Sequence, residues 1–268
     1  MSTQHIEATP RLSGRDEGIN YEPSERWVRG MVADTVVVDS RHPVLVWEPG
    51  SPVPQYVFPR GEVRADLLSP ASEPPPAGSR AGAVAFYDLT VNGDTVTNAA
   101  WTYPGEPLAD TVGFAWSERS GRGIEHWYEE DEEIFVHPRD PHHRVDTIPS
   151  SRHVLVEIDG QVVADSRRPV LLFETSLPIR YYLPLDDVRT DLLEPSEAHT
   201  ACPYKGTASY RSVRLADRVV HNIAWTYPYP TPATYLIKDT VCFFNEYVDL
   251  VVDGERLPRP RTGFQPPR

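Results

Sequence analysis

The stretch "CPYKG", Cys202 to Gly206, brings a thiol, a phenol and an amine together beside a proline. An ammonium close to a thiol lowers the thiol pKa and raises the share of the nucleophilic thiolate. Lys205 is one of only two lysines in the chain, the other being Lys238, and His199 stands three residues before Cys202, where it could act as a base. Three uses of this loop stay open: a nucleophilic Cys202 or Lys205, contact with a ligand, or a structural turn. No general acid or oxyanion donor can be assigned to go with a nucleophile.

A second group is aromatic. "AWTYP" occurs twice, at Ala100–Pro104 and Ala224–Pro228. Large rigid rings with polar tips can wall a site for a planar or cationic ligand. Trp101 and Trp225 serve equally well as core residues, whereas alternation along a strand and the need of a phenol for a polar partner direct Tyr103 and Tyr227 toward a site. "VRxDLL" also occurs twice, placing Arg64 near Asp66 and Arg189 near Asp191, with Tyr56 and Tyr181 a short way upstream. An arginine fork can clamp a carboxylate or phosphate, or can form an internal ion pair. Asp186, Asp187 and Asp191 could hold a divalent cation for phosphoryl transfer, but acids at the start of a helix account for the same pattern, and no glycine-rich phosphate cradle is present. His137, His142 and His143 lie among Pro and Arg residues and read as a solvated connector. The acidic run Glu129 to Glu133 reads as an exposed face that, with His126, Trp127 and Tyr128, could dock a partner.

What must position these residues is a duplicated unit. "RWVRGMVADTVVVDSRHPVLVWE" lies over "RHVLVEIDGQVVADSRRPVLLFE" at a constant offset of 126, so that Asp39, Ser40, Arg41, Pro43 and Glu48 match Asp165, Ser166, Arg167, Pro169 and Glu174. Tyr56, Pro59, Arg64 and Asp66 then match Tyr181, Pro184, Arg189 and Asp191, Gly82 matches Gly206, and Asn98 matches Asn222. "CPYKG" has no equivalent in the first copy, where Gly78, Ser79, Arg80 and Ala81 stand. Any use of that loop belongs to the second copy alone.

Within each copy the pattern is β. "HVLVEIDGQVVAD" alternates apolar residues on both sides of Asp159-Gly160, a pair suited to the positive φ angles of a type I′ turn. The 28 prolines and 16 glycines leave little room for long helices. One short helix is expected at "LPLDDVRTDLL" or its equivalent. The reading is mainly β: an N-terminal extension over residues 1–23, a first domain over 24–146 carrying an insertion at 117–132, a second domain over 147–257, and a Pro-rich tail over 258–268 that looks poorly packed.

A formal charge of -13 repels a phosphate backbone and argues against nucleic acid as a partner. No apolar run reaches the roughly 18 residues of a membrane span, and the first residues lack the pattern of a secretory signal, which leads to the expectation of a cytoplasmic protein without a membrane partner. Cys202 and Cys242 are far apart and cannot assemble a four-ligand zinc site.

The segments "ADSRRPVLLFETSLPIRYYLPLDDVRTDLLEPS", "CPYKGTASY", "AWTYPYP" and "VCFFNEYVDLVVDG" resemble the domain-of-unknown-function 427 family, and the whole chain is similar to its tandem form. The resemblance implies a β-tent-like fold in each half. Relatives of that fold often hold zinc through four cysteines that this chain lacks, so no metal or cofactor is carried over. The family label of nucleotidyltransferase finds no phosphate-binding motif here. The expectation is a small-molecule-binding protein whose fuller site, in the second domain, comprises Tyr181, Tyr182, Arg189, Cys202, Tyr204, Lys205, Trp225 and Tyr227, with Tyr56, Arg64, Trp101 and Tyr103 as first-domain counterparts. The alternatives are an enzyme using Cys202 or Lys205 as nucleophile, a nucleotidyltransferase, and a protein interaction module; a second copy of the chain is a further candidate partner.

Overall fold

The computed structural model describes residues 18–75, 80, 82–83, 85–117, 121 and 123–267. These fall into two compact units that meet in sequence at Asp140 and Pro141. The first contains β1 (Asn20–Pro23), β2 (Val28–Val32), β3 (Thr35–Ser40), β4 (Val44–Trp47), β5 (Gln55–Pro59), β6 (Leu68–Pro70), β7 (Ala85–Val91), β8 (Asp94–Thr102), β9 (Thr111–Phe114), β10 (His126–Glu129) and β11 (Glu132–Ile134). The second contains β12 (Val145–Pro149), β13 (Val154–Ile158), β14 (Gln161–Ser166), β15 (Val170–Glu174), β16 (Arg180–Pro184), β17 (Leu193–Cys202), β18 (Gly206–Arg214), β19 (Val219–Thr226), β20 (Thr240–Phe243), β21 (Asp249–Val252) and β22 (Glu255–Arg256).

Each unit has one seven-stranded and one four-stranded antiparallel sheet. The large sheets run β1-β4-β5-β9-β8-β7-β6 and β12-β15-β16-β20-β19-β18-β17, which is the same order strand for strand. The small sheets, β3-β2-β10-β11 and β14-β13-β21-β22, also correspond. The duplication read from the sequence is therefore a duplication of topology, and the fold is mainly β in both halves.

Local chemistry explains the turns. Asp159 and Gly160 both have positive φ, at 51° and 78°, as a type I′ hairpin demands, and Asn92-Gly93 and Asp253-Gly254 do the same elsewhere. Asn98 and Asn222 sit in the left-handed region at 53° and 52°, where register shifts interrupt the β7–β8 and β18–β19 pairings. Asp88 Oδ1 accepts from the Asn98 backbone N–H at 2.8 Å, and Ser212 Oγ accepts from that of Asn222 at 3.1 Å. Alternation buries Val154, Val156 and Ile158 on one face of β13, and these join Leu172, Leu183, Val213, Val241 and Phe243 in the core of the second unit. In the first unit Trp127 stacks on Trp116 at 4.9 Å and on Phe58 at 5.7 Å.

Several boundaries differ from the sequence reading. Part of the expected extension, Asn20–Pro23, is β1 and pairs with β4. The stretch read as an insertion at 117–132 contains β10, which pairs with β2 as β21 pairs with β13, so only part of it is additional to the repeat. The equivalence was hidden because "HWYE" and "DLVV" share backbone pairing but no residues. Likewise β12 begins at Val145, ahead of the expected start of the second domain. The short helix expected at "LPLDDVRTDLL" is realised as two 3-10 turns, Leu185–Asp187 and Thr190–Leu192. The segment after Leu257 is packed through specific hydrogen bonds rather than loose.

Candidate functional site

In the second unit the chemistry gathers around Glu174, at the end of β15. The Cys202–Gly206 turn joins β17 to β18, and its shape depends on Gly206, whose φ is 99° and where a Cβ would lie 2.7 Å from the Tyr229 carbonyl oxygen. Thr231 pins the turn from outside: its N–H donates to the Lys205 carbonyl at 3.2 Å and its hydroxyl to the Tyr204 carbonyl at 2.6 Å. Thus the segment following the second "AWTYP" fixes "CPYKG" in place. Lys205 Nζ then donates to both Glu174 carboxylate oxygens, each at 2.6 Å. His143 Nε2 lies 3.0 Å from Glu174 Oε1, and its ring stacks on Tyr204 at 4.5 Å. The ion pair is nearly sealed from solvent, with the Lys205 and Glu174 side chains 11% and 8% exposed. Burial by itself would raise the Glu174 carboxyl; the His143 hydrogen bond and the charge and hydrogen bonds of Lys205 overcome this and hold it below the usual carboxylate range.

Aromatic residues flank the pair. Trp225 Nε1 donates to the Tyr182 hydroxyl at 3.0 Å, and the Tyr182 and Tyr227 rings lie 6.5 Å apart. Burial raises the Tyr182 and Tyr227 phenols well above their ordinary value. The nearby Cys202, Tyr210 and Glu174 raise the Tyr227 phenol further. Neither the Tyr227 hydroxyl nor the Cys202 thiol forms a hydrogen bond among the described residues. Behind them, Cys242 is fully buried on β20 and its thiol is pushed up to about 12 by burial. Arg180 forms a two-pronged pair with Glu246 at 2.7 and 2.8 Å.

The first unit builds a related but closed arrangement. Glu48, the counterpart of Glu174, accepts a short hydrogen bond from the Tyr103 hydroxyl and lies 3.5 Å from Arg80 Nη1. Burial, then the adjacent Glu48 charge, raises the Tyr103 phenol far above its ordinary value. Arg80 also lies over the Trp101 ring at 4.0 Å. The two tryptophans occupy different space for a readable reason. Trp101 pairs in register with Gly113, where a Cβ would stand 2.6 Å from its ring, whereas Trp225 pairs with Cys242. With that space filled by a side chain, Trp225 packs on Phe244 at 4.6 Å and reaches Tyr182.

Thus Cys202, Tyr204, Lys205, Tyr227, Tyr182 and Trp225 are brought into one neighbourhood, while the other candidates lie elsewhere. Tyr181 alternates away from Tyr182 on β16 and is near Arg152 and Asp253. Arg189 and Asp191 form an exposed local pair at 2.8 and 2.6 Å, and Arg64 and Asp66 repeat it at 2.7 and 2.6 Å. Tyr56 donates to Glu129 at 2.9 Å, and Glu129 also pairs with Arg26 at 2.9 Å. Glu129 is therefore a buried core carboxylate and not part of an exposed acidic face, and Trp127 beside it is buried as well. His199 turns its Nδ1 to the Glu197 carbonyl at 2.8 Å on an exposed strand. Asp187 takes Arg168 at 2.9 Å and Ser166 at 2.7 Å, and Asp186 lies 3.6 Å from the same arginine. These acids are neutralised by arginine rather than grouped around a cation position. Among the described residues no group of three or more His, Cys, Asp or Glu side chains could hold a metal ion, and no helix is long and apolar enough to cross a membrane.

Sequence reasoning missed Glu174, Glu48, His143 and Arg80 as participants. A signal for two of them was present: a glutamate closes both "PVLVWE" and "PVLLFE", an expensive residue at the end of a buried strand unless a cation waits for it. The family model described as "Domain of unknown function (DUF427)" matches residues 20–118 and 146–254. The chain belongs to this family, as two tandem copies. No curated protein matches it.

Proposed function

We propose, with membership of this family as the premise, that the chain is a small-molecule-binding protein whose binding site lies in the second unit beside the Glu174–Lys205 pair. The observation that carries this reading is the set of polar groups left over around that pair. Lys205 spends its bonds on Glu174 and keeps one ammonium donor, and the Tyr227 hydroxyl and Cys202 thiol nearby are unengaged. Three such groups beside aromatic rings suit a small planar molecule with a hydrogen-bonding edge, packed against the Tyr227–Tyr182 wall. In the first unit the corresponding phenol is already bonded to Glu48, which disfavours a like role there.

Enzymatic use of Lys205 as nucleophile is disfavoured because its side-chain nitrogen is held by both carboxylate oxygens of Glu174 in a nearly sealed position. Nucleotidyl transfer is disfavoured by the arginine pairing of the candidate acids. Cys202 is the remaining candidate for covalent chemistry, as a free, half-buried thiol at the start of the turn that carries Lys205. Thiol alkylation rates measured against pH test that alternative: a rate profile like that of an ordinary exposed cysteine removes it.

The main reading is tested by thermal-shift screening of a metabolite library against the wild type and against Tyr227→Phe and Trp225→Ala. A ligand that protects the wild type and protects Tyr227→Phe at least several-fold less well supports it. The absence of protection across the library, or equal protection of all three proteins, contradicts it.

A further inference from the structure

Beyond that site, the second unit carries an extended segment laid across its surface. Residues 258–267 read "PRPRTGFQPP", form no strand, and are held almost wholly by side chains of the unit beneath. Arg259 donates to Asp249 Oδ1 at 3.1 and 2.9 Å, and Thr262 Oγ1 donates to Glu246 Oε1 at 2.6 Å. The Tyr247 hydroxyl donates to the Phe264 carbonyl at 3.3 Å, while Arg180 lies 5.7 Å from the Phe264 ring. Asn222 Nδ2 donates to the Pro267 carbonyl at 2.8 Å.

Recognition thus reads side chains at Arg259 and Thr262 and backbone carbonyls at Phe264 and Pro267. This is how a groove reads a proline-rich extended peptide, whose stiffness lowers the entropy lost on binding. The segment carries Arg259 and Arg261 and no acid. Arg259 pairs with Asp249, which also takes Arg256 at 3.2 Å, and the Thr262 hydroxyl meets the Glu246 carboxylate that Arg180 holds.

Among the described residues the first unit has no such surface. In register, His126 stands in the place of Asp249 and Gln55 in the place of Arg180, and the Asn98 amide is taken by the Glu73 carbonyl at 3.2 Å. The contacts are also shallow, since Arg259, Arg261, Gly263, Phe264 and Gln265 are exposed, so release of the segment opens little buried surface.

We propose that this face of the second unit, formed by Arg180, Asn222, Glu246, Tyr247 and Asp249, is a recognition groove for a basic, proline-rich extended peptide. Residues 259–267 are its resident occupant and exchange with a segment of the same chemistry from another chain.

The test uses a fluorescent peptide with the sequence of residues 258–268 and the full chain. The resident segment competes at high effective concentration, so its weakening by Thr262→Ala with Phe264→Ala should tighten peptide binding at least tenfold relative to the wild type. Adding Asp249→Asn to the weakened chain should then lose several-fold, and a scrambled peptide should not bind. Equal affinity for wild-type and weakened chains, or no binding to a weakened chain that melts cooperatively, overturns the proposal. A second measurement does not depend on that variant: Asp249→Asn alone should speed tryptic cleavage after Arg261 by at least threefold, and an unchanged rate counts against the groove.

Discussion

Glu48 and Glu174 end equivalent strands in the two copies, yet they are satisfied in opposite ways. In the first unit the carboxylate draws in the phenol of its own "AWTYP" motif, Tyr103, and an arginine that also covers Trp101. In the second, a lysine from a stretch whose sequence has no equivalent in the first copy takes both oxygens, a histidine takes one of them again, and the phenol of the motif, Tyr227, is left without that bond. One backbone plan thus yields a polar knot that includes the motif phenol in one copy and a knot that leaves it out in the other. A buried carboxylate must be paired, but which group pairs it decides whether a phenol beside it is structural or spare.

The largest effect that would sharpen this contrast is expected from Glu174→Ala. It strands Lys205 in a nearly sealed position, and removing one partner of a buried ion pair costs about 3–5 kcal/mol. Urea unfolding followed at Trp225, the single tryptophan after Asp140, reads it. A loss below about 1 kcal/mol would mean the pair is solvated after all.

Next comes the space beneath the two tryptophans. Gly113→Ala forces a methyl into the Trp101 ring and should cost the first unit about 1–3 kcal/mol by overpacking. At the matching register position Cys242→Ala, which shrinks a side chain already accommodated, should cost less. Equal costs would break the comparison.

A third effect depends on pH. The folded-state pKa of Glu174 is depressed, so its contribution to stability is complete above the unfolded value of about 4.3 and is lost as pH falls through the lower folded value. The stability of the second unit should hold through this group from pH 7 down to about pH 4 and then decline. Lys205→Met should remove part of that acid-side decline, and identical profiles for the two proteins would contradict the assigned pairing. The smallest effect is expected at Arg64 and Arg189, whose pairs with Asp66 and Asp191 are exposed in both copies. Alanine at either should leave ligand protection and the thermal midpoint unchanged.

The duplication, the β class and the Asp159-Gly160 hairpin were legible in the sequence because each rests on local pattern: repeated letters, alternation, and the φ demands of a turn. Glu174 and His143 were not, because the bond between them joins residues 31 apart through the β12–β15 edge, and nothing local marks that pairing. Arg189 and Tyr181 were misleading for the opposite reason. Their repetition in both copies is explained by a surface ion pair and by the alternate face of β16. The hairpin β10–β11 escaped notice because its equivalence to β21–β22 lies in hydrogen-bond register and not in side chains.

The contrast between the copies is tested most directly by one matched pair of substitutions, Tyr103→Phe and Tyr227→Phe, with the unfolding free energy of each unit measured in urea. Losing the hydroxyl at position 103 leaves buried Glu48 short of a donor and should cost about 1–3 kcal/mol. Losing it at 227 removes no internal bond and should cost less than about 0.5 kcal/mol. A cost at Tyr227 equal to that at Tyr103 would mean that its phenol is structural too, and no spare polar edge would remain for a ligand.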